Sequence, residues 1–129
     1  MPKLEYFLVA ESYSSDKDVD AISIFNVFNQ FRFKKLPETV PKLVTISCWL
    51  SSQEEIAEHS DHQVVIRFSL PGESEREYRG NFQCDTKCQH VVLELQNVKI
   101  SRSGEITVAL SIDEEYKCSH TIFVSVEGD

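Results

Sequence analysis

The sequence predicts an all-β fold, an antiparallel β-sandwich of roughly eight strands with little helix, formed by residues 1–129 as a single domain. Three observations predict it. Apolar residues recur at every second position in segment after segment. Turn-forming clusters separate those segments at short intervals. Helix signals are confined to one brief polar stretch, so no crossover helix long enough to join parallel strands is visible.

The elements follow in order. "MPKLEYFLVAES" reads as a first strand: Glu5 and Glu11 interrupt its apolar residues, and it has no small-residue cleavage site, so it does not read as a secretory leader. "AISIFNVFNQFRF" places Ile24, Val27, Phe28 and Phe31 at helical spacing, but it is rich in residues that form helices poorly, so it reads as one strand with apolar side chains on both faces. Pro37 and Pro41 bracket a connection in "KKLPETVPK". "KLVTISCWL" then groups Val44, Ile46, Cys48 and Leu50 on its core face, leaving Thr45, Ser47 and Trp49 opposite. In "SSQEEIAEHS", Ser52 stands three residues before Glu55, the spacing of a capping box over one or two exposed helical turns.

The second half alternates more cleanly. "HQVVIRFSL" aligns His62, Val64, Ile66, Phe68 and Leu70. "REYRGNFQC" aligns Tyr78, Phe82 and Cys84 around Gly80. "HVVLELQNVKI" runs through Val91, Leu93 and Leu95, then slips a position to Val98 and Ile100, which predicts a bulge near Asn97. "GEITVALSID" aligns Ile106, Val108, Leu110 and Ile112, and "YKCSHTIFVSV" aligns Tyr116, Cys118, His120, Ile122, Val124 and Val126. Turns fall at "LPGESE", "SRSGE" and "IDEEYK"; with only four glycines, tight primed hairpin turns should be few. Cys48, Ile66, Leu93, Leu110 and Val124 are the expected core.

Composition narrows the function. A hydrophobic fraction of 41% supports a packed core rather than disorder. A net charge of −8 repels phosphate backbones and anionic lipid, so neither nucleic acid nor membrane is an expected partner. With no leader, a cytoplasmic location and four reduced cysteines are expected. No nucleophile elbow, zinc-protease helix, phosphate loop or dinucleotide glycine motif occurs, which argues against an enzyme.

Several clusters carry metal-ligating residue types. Cys84, Cys88, His90, Cys118 and His120 have the chemistry of a zinc site. Strand parity opposes it: Cys118 and His120 share the face of Ile122 and Val124, whereas Cys88 and His90 point away from the core face of Val91 and Leu93. Asp16, Asp18 and Asp20 open like a calcium loop, but Ala21 and Val27 stand where such a loop needs Gly and Glu, so a solvated acidic turn is the expectation. His59 and His62 flank Asp61; His59 is expected to be exposed and His62 to begin a strand with its ring partly buried. No cofactor is expected.

The order "DVDAISIFNVF", Pro37 and Pro41, "ISCWL", "EEIAEHSDHQVVIRF", "PGE", "GEITVALSID" resembles a family of small uncharacterised bacterial all-β proteins. The resemblance spans most of the chain and implies the sandwich fold; it implies no activity.

The expectation for function is a non-catalytic protein-interaction or assembly module, with a calcium- or zinc-dependent ligand-binding sandwich as the alternative. The expected contact surface is Phe25, Phe28, Phe31 and Phe33, in a homo-oligomer or against another protein. On one continuous strand Phe28 has the opposite parity to the other three, which leaves aromatic surface in water unless a partner covers it.

Overall fold

A computed structural model describes residues 1–16, 18–19 and 21–128. Among these, the chain forms nine strands and one short helix: β1 (Lys3–Asp16), β2 (Ala21–Val27), β3 (Gln30–Phe33), β4 (Glu38–Leu50), α1 (Gln53–Glu58), β5 (Asp61–Ser69), β6 (Arg76–Gln83), β7 (Cys88–Ile100), β8 (Gly104–Ile112) and β9 (Glu115–Val126). The first sheet has the order β2-β1-β4-β7 and the second β3-β9-β8-β5-β6. All neighbours are antiparallel except β3 and β9, which run parallel. The architecture is the all-β sandwich that the sequence predicts.

The core lies between the sheets. Phe7, Val9, Leu43 and Trp49 from the first sheet meet Val64, Ile66, Phe68, Ile106, Val108, Leu110 and Ile122 from the second. The alternation read for β5 and β8 is the alternation found: each of these second-sheet side chains is buried. Gly80 on β6 lets Leu93 of the first sheet approach, its Cδ2 3.4 Å from where a Cβ would stand.

Four readings are corrected. The first is "AISIFNVFNQFRF", which is two strands. β2 pairs with β1 in the first sheet, and β3 pairs with β9 in the second. Asn26 adopts φ 56°, a conformation Asn tolerates better than most residues, and it breaks the regular alternation just before the strand's last residue. The chain then crosses between sheets, held by Phe28 N–H donating to the Val9 carbonyl and Phe123 N–H donating to the Asn29 carbonyl. Parity does not carry across a crossing, so Phe28, Phe31 and Phe33 all pack against the core, with ring centroids 4.7 and 5.6 Å apart.

The second is β4, whose faces are reversed. Leu43 and Trp49 point into the sandwich, while Val44 and Ile46 belong to a separate cluster. The inward face carries Thr45 and Ser47 beside Leu43 and Trp49, so the indole, the largest side chain on either face, decides the outcome against the more apolar side. Ser47 makes the inward choice tolerable by accepting the Trp49 Nε1–H at 2.9 Å. Cys48 is buried, as expected, but on the outer face.

The third concerns register. Val40 and Leu43 on β4, and Leu95 and Val98 on β7, are the inward residues, each pair three apart. Pro41 and Asn97 occupy the slip between them, in register with one another, so both strands shift together and the pairing is unchanged across it. Asn97 takes φ 54°. Pro41, which cannot donate to a ladder, therefore sits inside β4 rather than before it.

The fourth is Tyr116. A register shift opposite Leu110 and Ser111 turns it off the face of Ile122, and it is exposed. Leu93, on edge strand β7, is only half-buried, whereas Ile66, Leu110 and Val124 are core. The capping box is present as read, with Glu55 N–H donating to Ser52 Oγ at 3.2 Å and Ser52 N–H to Glu55 Oε1 at 2.8 Å. That backbone hydrogen bond from Ser52 holds the Glu55 carboxyl below the usual carboxylate range. No helix among the described residues is long and apolar enough to cross a membrane.

Candidate functional site: the outer face of the first sheet

Reversal of β4 gives the first sheet an unusual outer face. Strand register lines up three cross-strand rows: Tyr6, Cys48 and His90; Leu8, Ile46 and Val92; Ala10, Val44 and Glu94. Ala10, Val44 and Ile46 are fully buried although they point away from the core. Their cover comes from Tyr6, Ile22, Ile24 and Val92, a ring of partly buried apolar side chains. Tyr13, opposite Ile24 in the β1–β2 hairpin, extends the ring and is 39% exposed. At the edge of the same face, Lys42 Nζ lies 3.8 Å from Glu94 Oε1.

The first row carries sulfur and imidazole. Tyr6 Oη is 2.6 Å from His90 Nε2, and the two ring centroids are 5.9 Å apart. Cys48 Sγ is 3.1 Å from Cys88 Sγ. The ligating atoms of Cys48, Cys88 and His90 all lie within 4.8 Å of one another. Burial pushes the Cys48 thiol up to about 12, and its hydrogen bond with Cys88 adds to the effect. Burial likewise pushes the Tyr6 phenol up to about 12, with the two neighbouring sulfurs contributing. At neutral pH this row is therefore uncharged at Tyr6 and Cys48 in the metal-free protein.

A family model matches residues 5–125, from β1 to β9. The chain belongs to the family of unknown function DUF6941. No curated protein and no solved structure matches it. The DUF6941 match takes in both sheets, and with them every residue of the outer face.

The zinc constellation read from the DUF6941 sequence does not assemble. Cys118 and His120 lie on β9 in the second sheet, and His120 Nε2 is engaged with the Phe28 carbonyl. Cys84 is buried beyond the end of β6. Cys88 and His90 point outward, as parity predicts, but their neighbours are Cys48 and Tyr6. Neither was a ligand candidate in sequence, because the row exists only through pairings of residues 42 and 84 positions apart. The inward preference of Trp49 is the signal that would have turned Cys48 outward.

The acidic turn shows Asp18 N–H donating to Asp16 Oδ1 at 3.0 Å, a local turn bond. Asp20 lies outside the described residues, so the expected triplet is not seen whole. Of the four phenylalanines, Phe25 alone is exposed, at 47%.

One more cluster has the connectivity of a nucleophile–base–acid relay. Ser60 Oγ is 3.0 Å from His62 Nε2, and His62 Nδ1 is 2.6 Å from Asp113 Oδ2. Acyl transfer also needs N–H donors aimed at the developing oxyanion. Around Ser60 these are already committed: His59, Ser60 and Cys84 N–H donate to the carbonyls of Ile56, Glu55 and Ser60. His62 instead stacks 5.7 Å from Phe82 and clips the β8–β9 turn to β5, where Asp113 also accepts from Gln63 N–H. Burial disfavours the charged Asp113 carboxyl, but the His62 and Gln63 hydrogen bonds outweigh it and hold the group below the usual carboxylate range.

Proposed function

We propose that this chain is a non-catalytic interaction module that pairs with a second copy of itself through the outer face of the first sheet. The observation that carries the reading is the half-exposed apolar ring of Tyr6, Ile22, Ile24 and Val92 on the side away from the core. Contiguous apolar surface of this kind marks contact sites. A second copy is the occupant that the charges favour. The whole chain carries −8, yet an oppositely charged pair, Lys42 and Glu94, sits at the edge of this face. An isologous contact sets the same patch against itself, so each copy offers the other an opposite charge beside an apolar centre. Phe25, the exposed member of the expected phenylalanine surface, follows Ile24 on β2 and so points to the opposite side of that strand, outside this contact.

Light scattering tests this over a range of protein concentrations. Association should strengthen with added salt, because screening relieves repulsion between two acidic chains while the apolar contact persists. Ile24→Lys should return the mass to that of one chain while circular dichroism still shows the folded β signal, at some cost in stability because Ile24 covers Val44 and Ile46. A wild type that keeps monomer mass at millimolar concentration and high salt overturns the self-pairing.

A further inference from the structure

We infer that Cys48, Cys88 and His90 form a binding site for a zinc ion, with Tyr6 as the residue that positions the imidazole. Four observations carry it, and none depends on self-pairing. Two thiols and an imidazole are the donor types zinc selects, and soft thiolates disfavour calcium and magnesium. The donors stand on neighbouring strands β4 and β7, whose pairing runs in constant register from Glu38 to Leu50, so the frame is rigid. Their ligating atoms fall within 4.8 Å of one another. Tetrahedral zinc with bonds of about 2.0–2.3 Å needs donors ~3.5–3.8 Å apart, so modest side-chain rotation closes the site. Access is also suitable: Cys88 and His90 are exposed, and Cys48 forms a buried floor.

The other ligand-type cluster, Glu55, His62 and Cys84, differs where it matters. Both ring nitrogens of His62 are engaged, by Ser60 and Asp113. At the outer site only Nε2 of His90 has a side-chain partner, the Tyr6 hydroxyl. Partners of that kind orient metal-binding imidazoles.

A disulfide is the competing fate of two close sulfurs. Register argues against it. Cys48 is opposite His90, and Cys88 is opposite Leu50, so the cysteines are diagonal neighbours. Diagonal Cα atoms on paired strands stand ~7–8 Å apart, beyond the ~4.4–6.8 Å that a disulfide usually spans. A bridging ion tolerates that spacing. On binding, Zn²⁺ replaces the protons of the two thiols, forming two Zn–S bonds and releasing two protons to solvent, while neutral His90 donates a nitrogen lone pair. Three protein donors leave a fourth position for water, the pattern of an open zinc site.

The test is a ZnCl₂ titration of the reduced full chain, read by competition with a chromophoric chelator and by proton release, with Co²⁺ as a spectroscopic substitute. One zinc per chain, two protons released and sulfur-to-cobalt charge-transfer absorption are expected. Cys88→Ser and His90→Ala should each weaken binding at least tenfold, and Tyr6→Phe should weaken it ~10-fold while keeping the stoichiometry. Cys118→Ser should bind as the wild type does. Because Cys88 and His90 are exposed, their metal-free variants should melt with the wild type, which separates lost binding from lost fold. No uptake by the reduced wild type at micromolar zinc overturns the site. So does uptake unchanged by Cys88→Ser and His90→Ala, or a thiol count showing Cys48 and Cys88 joined in protein purified without oxidant.

Discussion

Removing the Ser47 hydroxyl should destabilise the fold although it deletes a single polar atom. Trp49 is 0% exposed and Ser47 2%, and the indole Nε1–H donates to Ser47 Oγ at 2.9 Å. Ser47→Ala strands a buried N–H where water does not reach. Leaving a buried donor unpaired costs ~1–3 kcal/mol, more than the net worth of the bond itself. Trp49→Phe removes the donor together with part of the ring, at a cost set by the smaller volume. In Trp49→Phe the Ser47→Ala change should then be close to neutral, since its hydroxyl no longer serves the indole. The coupling energy of this double-mutant cycle should therefore be ~1–2 kcal/mol. Urea unfolding followed by circular dichroism measures all four proteins, including those without the chain's one tryptophan. A Ser47→Ala cost below ~0.5 kcal/mol with no coupling would mean that Trp49 is hydrated, and that β4 faces the other way.

Other expectations follow from burial and backbone geometry. Leu110→Ala should cost ~2–5 kcal/mol in urea unfolding, and Leu93→Ala, half-buried on edge strand β7, clearly less; equal costs would contradict the placement of β7. Phe28→Ser should lower the melting temperature rather than the mass, because the partly buried ring packs against the core. Glu114→Gly should stabilise by ~1 kcal/mol, since Glu114 holds φ 71° in a turn that favours glycine. The depressed Asp113 carboxyl contributes stability that is present above its unfolded value of 3.8 and lost as pH falls through the lower folded value, so acid should narrow the gap between wild type and Asp113→Asn.

The strands that alternate apolar residues with mostly polar or small ones were the legible part of the sequence. β5 and β8 alternate, and their inward residues are those that alternation names. β2–β3 and β4 were misread for different physical reasons. In β4 alternation favours Val44, Ile46 and Cys48 as the inward set, but the size of the Trp49 indole overrides it; in β2–β3 a run apolar on both faces leaves the decision to a backbone break at Asn26. The Asp113–Glu114 turn shows a similar limit. It is a two-residue primed turn without glycine, with φ 47° and 71°. Asp113 offsets the strain with bonds to His62 and Gln63, which no local reading of "IDEEYK" reveals. The Tyr6, Cys48, Cys88 and His90 row was the least legible, because three strands distant in sequence contribute to it and register alone brings them together.

The outer face as a contact surface is tested most directly by a nuclear magnetic resonance dilution series at high salt, with methyl and amide signals assigned. Signals of Tyr6, Leu8, Ile24, Ile46 and Val92 should shift together as concentration rises, along one binding curve, while Leu110 and Trp49 in the core stay still. Shifts confined to the β6 edge or the α1 region, or no concentration dependence at all, would contradict it.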